Sequence, residues 1–268
     1  MSNSIFVILF LPLFSLLICT LLPGYALRDL RDTDEHRWFT ILCILAIISN
    51  LSLMSRSIVP PGNPLLDLTR LFYPSFIFLL PLSIQLAYSR FTARSPSRVM
   101  PWLIILALCV SVAMWFGIPP WSMSLIAAAV LPLYVLAFVP VAKAVRTSEF
   151  PDRLLVGGVV LLVLLCGLAF LPVRLFATVS PLSLVFVPLF LIAMGLAGGE
   201  RDPERHAELR RRIFIGAALA FNGIPLLTEA GIFVFHFDAL DVAAFWDWLV
   251  GYGIISILSV MTCILLID

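Results

Sequence analysis

The sequence predicts an all-α, polytopic transmembrane helix bundle of about nine spans, with the N-terminus outside and the C-terminus in the cytoplasm. Three observations carry the prediction. Hydrophobic residues make up 62% of the 268 and charged residues 12%, against roughly 45–50% and about 25% in soluble domains. Lipid therefore has to be the solvent for much of the surface. The apolar residues fall in nine long runs, each near the ~20 residues that cross about 30 Å of hydrocarbon. The basic residues alternate from loop to loop in a way that orients every run.

The first run, 5–22, follows an uncharged start. A secretory signal needs a basic n-region and a small-residue cleavage site; neither is clear, so the run reads as a retained first span. The second, 38–54, opens on Trp38 and carries Asn50. The third, 71–88, is interrupted by Pro74 and Pro81. The fourth, 102–117, lies between Trp102 and Trp115, and the fifth, 124–142, contains Pro132 and Pro140. The sixth, 154–172, follows Arg153 and stops short of Arg174. The seventh, 181–198, holds Gly195, four residues before Gly199. The eighth, 213–233, holds Asn222, Pro225 and Glu229, and the ninth is 249–267. Backbone left unpaired in hydrocarbon costs several kcal/mol per group, so each run is a helix. Continuous apolar character excludes the alternation of an outer-membrane barrel. The whole of 1–268 reads as one transmembrane domain.

Orientation comes from the loops. The odd-numbered loops hold Arg28, Arg31 and Arg37; Arg90, Arg94 and Arg98; Lys143, Arg146 and Arg153; and Arg201, Arg205, Arg210, Arg211 and Arg212. These are fourteen of the 17 basic residues; the even-numbered loops hold Arg56, Arg70 and Arg174. Short loops rich in Lys and Arg stay in the cytoplasm. The stretch 199–212 is the most charged of them and reads as a solvated loop. Trp38 and Trp102 then fall at inner ends, and Trp115, Trp121, Trp246 and Trp248 at or near outer ends, as an aromatic belt.

Ionisable and amide groups inside spans are the pointers to function. Glu229 lies ~24 Å along span eight from the inner face, and Arg174 ~30 Å along span six. The two reach a similar depth, as a structural ion pair or as a ligand or proton site on the outer side. Asn50 and Asn222 lie ~18 Å and ~14 Å from the inner face, as interhelical hydrogen-bonding groups or as the floor of a polar pocket. Gln85 is closer to the inside. The outer loop before span nine carries His236, Asp238, Asp241 and Asp247 and reads as an acidic solvated cap.

Several classes find no support. Cys19, Cys43, Cys109, Cys166 and Cys263 stand singly in apolar runs and read as small buried hydrophobes, with neither a metal site nor a disulfide expected. None of His36, His206 and His236 is mid-membrane, and no Lys lies within a span. No zincin helix, nucleophile elbow or phosphate-binding glycine loop occurs. Neither catalysis nor a cofactor is expected. A net charge of +1 offers no basic face to nucleic acid.

Residues 66–90 carry a family resemblance. Arg70-Leu71-Phe72-Tyr73 opens a proline-interrupted span that leaves through Ala87-Tyr88-Ser89-Arg90. Together with the N-out orientation and short loops, the first four spans resemble the seven-helix sensory modules at the N-termini of some bacterial histidine kinases. In that family an output domain follows helix seven, at the position of residues 200–212; here two more spans follow. With the proline-kinked spans and the shared level of Glu229 and Arg174, this points to a receptor-like bundle of the bacterial cytoplasmic membrane that senses a small or lipidic ligand from the outer side and signals through a membrane or cytoplasmic protein partner. The alternatives are a non-catalytic subunit of a secretion, translocation or redox assembly, and a small transporter using Asn50, Asn222 and Glu229.

Overall fold

The computed structural model describes residues 2–30, 33–58, 72–91, 100–115, 132, 139, 141, 149–169, 180–200 and 202–235, and within these the side chains other than those of 2–11, 54–58, 73, 115, 222 and 224–235. Among the described residues the secondary structure is entirely helical. Helix α1 is Ser2–Leu21 and ends in a π-helical turn, Leu22–Ala26. Pro23 has no N–H to return to the carbonyl one α-turn back, so the α-ladder breaks there. Leu27 N–H closes the wider ring onto the Leu22 carbonyl at 2.9 Å. A short 3-10 turn, Arg28–Leu30, leads on to α2, Asp34–Ile58. Thr33 caps α2 by accepting from His36 N–H at 3.2 Å, and Asp34 and Glu35 lie in its first turn, where acids complement the helix dipole.

A 3-10 segment, Tyr73–Phe78, runs straight into α3, Leu79–Phe91. Helix α4 is Met100–Trp115 and α5 is Phe150–Ala169. The turn Pro181–Leu184, capped by the Ser180 hydroxyl, precedes α6, Phe186–Gly198. Last comes α7, Pro203–Phe235. Helix therefore covers most of seven of the nine expected segments; 249–267 lies outside the described residues, and so does 124–142 apart from three isolated positions. Three helical stretches, Asp34–Leu53, Phe150–Ala169 and Pro181–Gly198, are long and apolar enough to cross a membrane, while Pro12–Ala26 and Met100–Met114 are apolar but shorter.

One stretch departs from expectation. Residues 203–212 are the first turns of α7 and not a loop. Pro203 fits a first helical position, where its missing N–H costs nothing. Asp202 accepts from Glu204 N–H at 3.2 Å, and Glu208 pairs with Arg212 one turn on, at 2.9 Å. High charge is compatible with helix when the ends are capped and the charges pair at i,i+4.

Among the described helices, α1, α2, α3, α5, α6 and α7 follow one another around a closed circuit of contacts, and α1 also reaches across to α6. The most intimate pair is α5–α6. A Cβ on Gly158 would lie 2.7 Å from the Pro188 carbonyl, and one on Gly195 would lie 2.6 Å from Leu155 N. Backbone thus lies on backbone, which small residues permit. The core includes Ile18, Leu22, Phe39, Leu42, Leu80, Ile84, Leu162 and Ile192. Outward faces are apolar as well: Ile44, Leu51, Ile105, Leu108, Leu164 and Leu219 are each about half exposed. Helices apolar on all sides are those of a membrane or of a very large core.

Candidate functional site

Several of the buried polar groups gather where α1 and the 3-10 segment meet α2. Asn50 on α2 and Ser15 on α1 are both fully buried, and Ser49 and Ser52 beside Asn50 are nearly so. The Asn50 amide nitrogen donates to the Ala46 carbonyl at 2.9 Å and to the Ser15 hydroxyl at 3.2 Å. The Ala46 carbonyl fixes the orientation of the amide, because the opposite flip would set two acceptors face to face. Both amide protons are then used, and Oδ1 is buried with no donor reaching it among the described residues. An orphaned buried acceptor of this kind costs about 1–3 kcal/mol.

The Ser49 hydroxyl donates to the Leu45 carbonyl at 2.8 Å. It has a single proton, so the 2.9 Å contact with Ser75 places the donor on Ser75. Ser111 on α4 returns its hydroxyl to Ala107 at 2.9 Å and lies 3.5 Å from the Pro74 carbonyl. Serines that back-bond their own helix leave its apolar faces intact. The seam is therefore a set of satisfied hydroxyls around one unsatisfied amide oxygen. A second orphan acceptor, Gln85 Oε1, lies on α3.

Beyond the C-terminal end of α1 the polar contacts become ionic and partly solvent-exposed. His36 Nε2 lies 3.2 Å from the Pro23 carbonyl in the π turn; a carbonyl only accepts, so Nε2 carries the proton. Arg212 bridges Asp29 at 2.7 Å and Glu208 at 2.9 Å, and the Glu208 carboxylate, first among its partners, raises the guanidinium above its ordinary value. Arg205 donates to the Asp29 carbonyl at 3.0 Å and pairs with Glu200. These contacts tie the start of α7 to the turn after α1. A second clamp joins α3 to α5 through Arg90 and Asp152, 3.2 Å apart and both mostly buried. The Arg90 guanidinium rests on Gly199, where any Cβ would collide with it.

Of the residues expected to carry function, Asn50 is in the seam. Arg174 lies outside the described residues. Asn222 and Glu229 are on the α7 backbone, with their side chains outside the description, so the Glu229–Arg174 pair is not placed. Sequence reasoning passed over Ser15, Ser49 and Ser75. Ser15 left a usable signal, a hydroxyl within an apolar run. Comparison with protein-family models, curated proteins and solved structures finds no match to this chain.

Proposed function

We propose that the chain is a multi-pass protein of the bacterial cytoplasmic membrane, a receptor-like bundle that seats a small or lipidic ligand in the seam between α1 and α2. The observation that carries the reading is the Asn50 amide oxygen, fully buried and without a donor among the described residues. A ligand offering a hydroxyl or N–H there relieves an energetic debt of about 1–3 kcal/mol, so the ligand class is a neutral hydrogen-bond donor with an apolar body. The alternating arginines support an N-out topology, and the apolar outward faces support lipid as solvent. The ionic contacts between α7 and the Asp29 turn would then lie in the cytoplasm, at the end where a partner reads the state.

Native mass spectrometry of protein extracted gently from its own membrane tests this. The wild type is expected to carry a retained small molecule or lipid, and Asn50→Leu to lose it while staying folded. Partner subunits at fixed stoichiometry, with nothing bound to this chain, would replace the reading with that of a complex subunit.

A further inference from the structure

Cys19 on α1 and Cys43 on α2 are far apart in sequence, yet both are fully buried and their two helices pack against each other. Both are reduced. The contacts above and below them hold the pair in register. On one side Asn50 meets Ser15, and on the other His36 meets Pro23. Cys19 lies one helical turn from each of its two neighbours on α1, and Cys43 two turns from each of its neighbours on α2. Four-residue spacing on α1 and seven-residue spacing on α2 put each cysteine on the same helix face as the residues that make these contacts, so the two cysteines fall on the faces that meet. A disulfide needs Cα atoms about 4.4–6.8 Å apart. Two helices of ~2.3 Å Cα radius with axes about 8–10 Å apart bring facing Cα atoms to roughly that separation.

We propose that Cys19 and Cys43 form a redox-modification site, at which a lipid-soluble quinone oxidises the two thiols to a disulfide that staples α1 to α2. Two S–H bonds break and one S–S bond forms. The two protons and two electrons pass to the quinone, which becomes the quinol. Burial within apolar helices selects the oxidant class. Charged oxidants such as glutathione disulfide do not partition into hydrocarbon, whereas a quinone dissolves in it and reaches the sulfurs when the seam breathes. The staple would fix α1 beside the Ser15–Asn50 contact and immediately before the π turn, the point where α1 changes its hydrogen-bonding pattern. The choice of oxidant rests on the membrane reading above, and fractionation of the same cells checks that location separately from the thiols.

Membranes holding the full chain are incubated with a short-chain benzoquinone, denatured, alkylated and digested for peptide mass spectrometry. Cys19 and Cys43 are expected to lose alkylation together, several-fold over untreated membranes, and to appear as one linked species lighter by two hydrogens. Cys166, buried with its thiol at the Phe76 carbonyl, stays alkylated. In Cys43→Ser, Cys19 remains alkylatable; if that variant does not accumulate, the wild-type map alone decides. Both thiols staying alkylatable, or Cys19 linking to any other cysteine or to the quinone itself, would overturn the proposal.

Discussion

At the scale of the residue, Asn50 makes two hydrogen bonds and leaves one acceptor empty-handed. Leucine at this position forfeits two bonds worth roughly 0.6 kcal/mol each in membrane interiors and removes an orphan costing about 1–3 kcal/mol. Asn50→Leu is therefore expected to melt within about 2 kcal/mol of the wild type in ligand-free detergent, as measured by thermal unfolding. A much larger loss would mean that Oδ1 is satisfied within the protein. Asn50→Asp is expected to behave differently, since a carboxylate at the centre of a span costs ~2.5–3.5 kcal/mol on insertion scales. Asn50 was legible in the sequence because an amide in an apolar run has few uses besides bonding another helix. Ser49 was not, because its hydroxyl satisfies itself on its own helix and disappears into the apolar pattern.

At the scale of the element, the α5–α6 contact depends on the absence of side chains. Gly195→Ala would drive a methyl into the Leu155 backbone, and overpacking of this kind costs about 1–3 kcal/mol. Gly216→Ala, whose nearest neighbours would be 3.9 Å away, is expected to be neutral in the same melt. Equal effects would contradict backbone contact at Gly195. The start of α7 depends instead on charge. Arg212→Ala removes both the Asp29 and Glu208 bridges, while Arg210 is exposed. Hydrogen exchange through 203–212 is expected to accelerate in Arg212→Ala and not in Arg210→Ala. Because the bridges are partly solvated and worth up to ~1 kcal/mol each, the difference should narrow at high salt. The helical cues here, Asp202 before Pro203 and Glu208 before Arg212, were present in the sequence; a density of charge that signals water says nothing about whether the backbone coils.

At the scale of the whole molecule, apolar content and run length were enough to foresee helices, because hydrocarbon permits few other backbones. They did not reveal which helices touch. The contacts α1–α2, α1–α7 and α5–α6 depend on shape and on single small or polar residues, which carry little weight in a hydropathy window. The proposed N-out topology makes its own prediction. A membrane-impermeant maleimide should label Ser2→Cys in intact spheroplasts and Arg210→Cys only after permeabilisation, above the background of the native cysteines; the reverse pattern would invert the bundle. The central claim, a ligand seated on Asn50, is tested most directly by an experimental density map of protein purified with its native lipids. The account predicts density larger than a water, with a donor about 2.7–3.2 Å from Asn50 Oδ1. A single ordered water there, or an amide turned to a donor within the protein, would contradict it.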